Sequence, residues 1–205
     1  MLTIRSAESS DRQALASFLA QNFLSEPSMQ AIFAIPGGLP PGALPLGALP
    51  PEALQVWFVA ALSVWTSGAP NQAIIAQQDG SIVGAIILSG REKLSLAVAW
   101  GWFWTIGLGC GLKVVFRSLM AEWQRRGSWP TKKPIVIEFV AVLAEHRGRG
   151  IASQLFAEAH KQGTEFWLET TLDQNVVIFE RLGYRVVSDH SALGCRHFAM
   201  MFSKS

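Results

Sequence analysis

The chain has 205 residues, half of them apolar, 16% charged, and a formal net charge of +2. That length suits one domain with a sizeable core, and so apolar a composition excludes disorder for most of it. The small, dispersed charge argues against a nucleic-acid partner. Two cysteines, Cys110 and Cys195, give no disulfide framework, and the four histidines, His146, His160, His190 and His197, show no metal-ligand spacing, so no metal is expected.

Leu2-Thr3-Ile4-Arg5 reads as a strand. Ser10 or Asp11 caps a helix running to about Leu24, with Leu15, Phe18, Leu19 and Phe23 on one face. Arg5, Glu8, Asp11 and Arg12 interrupt any apolar leader-like run, so the cytoplasm is the expected compartment. Residues 35–51 are rich in proline and glycine, with Gly42-Ala43-Leu44-Pro45 echoed by Gly47-Ala48-Leu49-Pro50. The prolines forbid a regular helix there, and the leucines suggest a loop that packs. Helical spacing returns from Glu52 to Trp65. Gln72 to Gln77 and Ser81 to Leu88 read as paired strands around the Asp79-Gly80 turn.

Residues 94–112 contain no charge and hold Trp100, Trp102 and Trp104, flanked by Arg91 and Lys93 before and Lys113 and Arg117 after. The length approaches a membrane span. Gly107-Leu108-Gly109-Cys110-Gly111 instead reads as a break between two helices, the second running from roughly Lys113 to Arg125. The whole apolar segment, 94–125, is expected as a helix–break–helix lid or core, with contact at a membrane surface as a minor alternative.

The most informative stretch comes next. The strand-like Ile135-Val136-Ile137-Glu138-Phe139-Val140-Ala141-Val142 leads into Arg147-Gly148-Arg149-Gly150, and a helix-like run opens at Ile151-Ala152-Ser153. A basic, glycine-rich turn at a helix N-terminus is an anion site: the first amides have no intrahelical partner, the dipole adds positive charge, and glycine admits a phosphate. Arg147 and Arg149 add forked donors. A P-loop is excluded because Arg149-Gly150-Ile151 lacks the Lys-Ser/Thr ending. A dinucleotide fingerprint is met at Gly148 and Gly150 and fails at Ser153, although Glu169 follows at about the ribose-binding distance of 20 residues. Phe166 to Glu169 then reads as a strand, Asn175 to Leu182 as a helix, and two strands close the chain.

Arg147, Gly150 and Ala152 form Arg-x-x-Gly-x-Ala, which resembles the coenzyme A pyrophosphate loop of the GCN5-related N-acetyltransferase (GNAT) superfamily. The resemblance extends to Val140-Ala141-Val142 before the loop, to Leu168-Glu169-Thr170 and Asn175, and to Phe179-Glu180-Arg181-Leu182-Gly183-Tyr184. Gly194 followed by Arg196 to Met201 is similar to the family's last strand. Within the superfamily the chain looks most like the puromycin-type small-molecule acetyltransferases. The resemblance implies an α/β fold over residues 1–205, a mixed, mostly antiparallel central sheet with helices on both faces.

It also implies acetyl-CoA as cofactor and acetyl transfer to a primary amine by direct attack in a ternary complex. On the same resemblance, the backbone of Val140, Ala141 and Val142 pairs with the pantetheine arm. Arg147, Gly148, Arg149, Gly150, Ile151, Ala152 and Ser153 hold the pyrophosphate, and Asn175 and Phe179 meet the cofactor from the following helix. Glu138, which by alternation shares a face with Val140 and Val142, is the candidate general base, with a structural hydrogen bond or acceptor binding as alternatives. Glu169 is a second candidate base, better suited to an ion pair or a sheet-edge role. Many members carry a tyrosine acid where this chain has Phe179, and the only tyrosine, Tyr184, sits in the usually packed slot after Gly183. This departure keeps an acyl-CoA sensor without turnover as the runner-up, and a membrane-peripheral protein as a third reading. The loop 35–51 and the tryptophan-rich helices would border the acceptor. Their apolar character points to an apolar or aromatic small-molecule amine, with a homodimer as the oligomeric option.

Overall fold

A computed structural model describes residues 1–33, 50–66, 72–90, 95–126, 129–130 and 133–204. Nearly all of the proline- and glycine-rich loop, and Leu94, lie outside these residues. Seven strands form one sheet: β1 (Leu2–Ser6), β2 (Gln72–Gln78), β3 (Ser81–Ser89), β4 (Ile135–Val142), β5 (Glu165–Thr170), β6 (Arg185–Ala192) and β7 (Cys195–Ser203). Their order is β1-β2-β3-β4-β5-β7-β6, antiparallel throughout except for the β4/β5 pair. The expected mixed, mostly antiparallel sheet is therefore present.

Helices cover both faces. On one lie α1 (Arg12–Phe23), α2 (Pro27–Phe33), α3 (Pro51–Trp65), α4 (Leu96–Gly109) and α5 (Leu112–Arg126); on the other lie α6 (Ile151–Ala159) and α7 (Asp173–Arg181). Strand β3 shows why: Ala85 and Ile87 join the α1–α5 core, while Ile86 and Leu88 join the α6–α7 core. Successive side chains of a strand point to opposite faces, so a run apolar at every position demands cover on both sides.

Three local readings shift. The first helix begins after a short 3₁₀ turn, Ser9–Asp11, closed by a reciprocal cap between Glu8 and Asp11. Pro51 belongs to α3, because proline at the first helical position gives up an amide that has no helical partner anyway. Helix α2 was not expected; Glu26 starts it by accepting from the Met29 amide at 2.9 Å.

The glycine break in the apolar segment is real. Helix α4 ends at Gly109, and Gly111 takes φ +91 before α5 begins. Among the described residues no helix is long and apolar enough to cross a membrane. Leu96, Trp100, Leu108, Leu112, Phe116, Leu119 and Trp123 nonetheless stand more than half exposed along α4 and α5.

Candidate active site

Strands β4 and β5 part company early. Their parallel register covers only Ile135↔Phe166, Val136↔Trp167 and Ile137↔Leu168. Beyond it, residues 139–142 stay paired to β3 on one side only. The resulting fork opens into a cavity of about 810 Å³, lined by Glu138, Phe139 and Val140 of β4, by Leu168, Glu169 and Thr170 of β5, and by Asn175 and Phe179 of α7.

The basic turn lies past the end of β4. Gly148 and Gly150 both take φ +76, the left-handed region that costs a residue with a Cβ. A Cβ built on either would meet no heavy atom within 4 Å, so the turn is an open cradle. Gly150 is the N-cap of α6, no side chain caps the helix, and the ladder starts with the Gln154 amide donating to the Gly150 carbonyl at 3.1 Å. The amides of Ile151, Ala152 and Ser153 precede that bond, as an anion site needs. Ile151 is buried, so the first turn of α6 is anchored from below while Ser153 and both arginines stay exposed. Arg147 Nε donates to the Val142 carbonyl at 3.1 Å, tying the turn to the strand. Residues and geometry fit a diphosphate in the cradle with a thioester arm in the fork.

Glu138 does not follow simple alternation. The β3/β4 register jumps, so Phe139 faces Ile87 while Ile137 faces Leu88, and Glu138 is the extra residue of a bulge. Val140 and Val142 pack toward the α6–α7 core, whereas the Glu138 carboxylate reaches Arg125 of α5 on the opposite face. The shared face expected for the three residues is thus corrected. Glu138 Oε1 accepts from Ser89 Oγ at 2.5 Å, and Oε2 lies 3.5 Å from the Arg125 guanidinium.

Arg125 organises the vertex of the fork. Its Nε donates to Glu169 Oε2 at 2.7 Å, its Nη1 lies 3.4 Å from Glu122 Oε2, and its guanidinium sits over the Trp167 ring. Burial alone would lower its pKa, but the carboxylates of Glu138, Glu169 and Glu122 outweigh that and raise it, so it stays charged. Glu169 is thus the ion-pair partner that its position suggested. It also faces His190 Nε2 at 3.3 Å and His197 Nδ1 at 3.9 Å.

The histidines correct a second reading. His190 and His197 pair directly across the β6/β7 hairpin, with rings stacked at 5.3 Å, and together with Glu169 they place three donor atoms within 4.8 Å of one another. Arg125 already engages the Glu169 carboxylate, so one of the three donors is taken up by that ion pair. Burial, then the neighbouring charges of His190 and Arg125, lower the His197 pKa to about 4.

On the α7 side, Asn175 Nδ2 donates to Thr170 Oγ1 at 3.2 Å, which holds the amide at the end of β5. Phe179 is 6% exposed and borders the cavity. Tyr184 is 1% exposed, hydrogen-bonded to His160 Nε2 at 3.0 Å, and does not line the fork. Burial raises its pKa. It packs, as its slot suggested. Arg125, Ser89 and the histidine pair were missed in the sequence, although His190 and His197 lie symmetrically about the Leu193-Gly194 turn.

An antiparallel sheet with one forked parallel pair, and a glycine turn at a helix N-terminus beyond the fork, are the features expected of the superfamily that the loop motif resembles. A family model for the acetyltransferase (GNAT) domain matches residues 69–186, more than half of the chain. The chain belongs to the GNAT acetyltransferase family. No curated protein sequence matches it. The fold is similar to a solved structure of histone acetyltransferase HPA2 and related acetyltransferase from Corynebacterium glutamicum, at 16% identity and TM-score 0.66, covering 100% of this chain and 97% of that one. An N-acetyltransferase from Staphylococcus aureus aligns at 14% identity and TM-score 0.61, covering 97% and 99%. A third similar structure, yncA from Salmonella typhimurium with its cofactor acetyl-CoA, aligns at 11% identity and TM-score 0.53, covering 100% and 95%.

Proposed function

We propose that residues 1–205 form a single N-acetyltransferase domain of the cytoplasm, moving acetyl from acetyl-CoA to the primary amine of a small molecule by direct attack in a ternary complex. The observation that carries this reading is the fork between β4 and β5, which ends beside the Gly148–Gly150 cradle. Acetyl-CoA, when bound, supplies an activated thioester carbonyl. The amides of Arg149 to Ser153 hold its diphosphate, with Arg147 and Arg149 adding charge at the rim. The unpaired edge of residues 140–142 adds to the pantetheine arm as a further strand would. An amide of that stretch donates to the thioester oxygen as it gains charge. Asn175 and Phe179 close the α7 side.

Glu138 is the residue we assign as base. Its carboxylate is fixed by Ser89 and Arg125 and lines the cavity, where it takes the proton of the attacking amine directly or through one water. Phe179 has no proton to give, so the departing thiolate leaves as such or is protonated by water. A thiol of ordinary pKa, about 8.5, is a tolerable leaving group. The same phenylalanine favours the second reading, a sensor that binds acyl-CoA without turnover.

Thiol release from acetyl-CoA, followed with purified protein across a panel of primary amines, separates the two readings. Amine-dependent release supports the transferase; calorimetric binding of acetyl-CoA with no release supports the sensor. Glu138→Gln is expected to lower kcat by about 10²-fold or more, in the usual range for a lost general base. Full activity of that variant across pH retires Glu138 as the base.

A further inference from the structure

Helices α4 and α5 leave one long apolar face bare, and we propose that this face seats the protein on the surface of a phospholipid bilayer, with the mouth of the fork cavity against the lipid. The proposal concerns the placement of the domain and holds whether the site turns over acetyl-CoA or only binds it.

Eight of the thirteen large apolar side chains exposed among the described residues belong to these two helices, so the exposure is concentrated and not scattered. On α4 they are Leu96, Trp100, Trp104 and Leu108, each four positions from the last, which makes one ridge along the helix. On α5 they are Leu112, Phe116, Leu119 and Trp123, again a single stripe. The two ridges adjoin at two places. Leu112 Cδ2 sits 3.6 Å from where a Cβ on Gly107 would lie, and Leu96, Trp100 and Leu119 share the rim of the fork cavity. The other side of α4 is fixed to α3, with Ile106 buried and Gly109 against Val56, so the bare face cannot roll inward. Scaled by exposure, with about 150–250 Å² for each aromatic side chain, the face reaches on the order of 10³ Å², against about 300–600 Å² for the largest patch of a typical monomer.

The polar groups on this face select its occupant. Among the described residues, the exposed positions of α4 and α5 carry one charge, Lys113, and no carboxylate. The Thr105 hydroxyl donates to the Gly101 carbonyl at 2.8 Å, and Ser95 Oγ accepts from the Val98 amide at 3.3 Å, so both serve the helix itself. What the face presents outward is therefore donors: the Lys113 ammonium and the indole N–H groups of Trp100, Trp104 and Trp123. A second copy of the chain would bring the same donors to meet them, because a two-fold interface sets a patch against itself. Phospholipid ester and phosphate oxygens accept, and an anionic headgroup complements the lysine. Tryptophan is enriched at that depth, with its ring at the acyl boundary and its N–H toward the headgroups. The fourteen residues of α4 span about 21 Å, short of a hydrocarbon core about 30 Å thick, so the helix lies along the boundary and does not cross it.

The test is cosedimentation of the full chain with mixed phosphatidylcholine–phosphatidylglycerol vesicles, with pure phosphatidylcholine vesicles in parallel. The protein is expected in the pellet with both, and more of it with the anionic mixture. Leu108→Glu combined with Phe116→Glu sets two carboxylates on the face, away from the cavity lining, and should lower partitioning at least about tenfold. Its melting temperature should stay at the wild-type value, because both positions are exposed. Vesicles with brominated acyl chains test the unaltered protein: they should quench roughly a third of its fluorescence, since three of the eight tryptophans stand on this face. Light scattering after gel filtration reads the competing occupant. A dimer that leaves vesicles unbound overturns the proposal, as does a monomer that stays in the supernatant. Equal sedimentation of the double variant, or no quenching by brominated chains, overturns it as well.

Discussion

Arg125→Met removes the guanidinium at the fork vertex and keeps most of its apolar stem. Glu138 and Glu169, at 9% and 6% exposure, then lose the guanidinium they share. At an effective dielectric of about 20, a charge pair at 2.7 Å is worth roughly 6 kcal/mol before the cost of taking both groups from water. Removing one partner of a buried pair costs about 3–5 kcal/mol, because the other charge stays buried. Arg125 is itself 20% exposed and Glu122 35%, so water can enter, and the lower part of that range, about 3 kcal/mol, is expected. For a chain of this size that lowers the melting temperature by roughly 6–12 °C. Urea unfolding followed by tryptophan fluorescence measures the loss directly, with eight tryptophans as reporters. Adding Glu169→Gln removes one of the stranded charges, so the double variant should recover at least about 1 kcal/mol relative to the sum of the single changes. A loss under about 1 kcal/mol for Arg125→Met, or strict additivity in the double variant, would refute the organising role of this arginine.

Other outcomes follow from the same geometry. His197 has a folded pKa of about 4 against an ordinary value near 6.5, so folding opposes its protonation. The stability this provides is complete above about pH 6.5 and is lost as pH falls toward 4. About 2 kcal/mol should go between pH 7.5 and 5, and His197→Gln should flatten that slope; an unchanged slope contradicts the assignment. Gly150→Val forces a β-branched residue to φ +76 and fills the cradle, so the acetyl-CoA Kd should rise at least tenfold by calorimetry; an unchanged Kd breaks the loop assignment. Tyr184→Phe deletes one hydroxyl bonded to His160, costing about 1 kcal/mol of stability with kcat unaltered, and a fall in kcat beyond twofold would return this tyrosine to the chemistry.

What could be read from the chain was what is local in it. The run from Arg147 to Ser153 announces an open glycine turn into a helix because glycine at φ +76 and the start of a helix are neighbours in sequence. The doubly covered sheet follows from strands apolar at consecutive positions. The orientation of Glu138 was misjudged because a bulge adds one residue to β4 and shifts the alternation, and nothing in Ile137-Glu138-Phe139 marks it. Arg125 was invisible as a cavity residue because Glu138 and Glu169 lie 13 and 44 positions away on strands that meet only in the folded sheet. The histidine pair needed only the symmetry of a hairpin about Leu193-Gly194.

The uncharged helix α4 has a practical consequence for enzymology. With α5 it presents a flank of greasy side chains, among them Leu96, Trp100 and Leu119, which also border the cavity. Amphiphilic amines partition onto such a flank as well as into the fork. In assays of the proposed amine transfer, saturation curves for hydrophobic amines therefore mix true occupancy with surface adsorption, and competition against a small, water-loving amine separates the two.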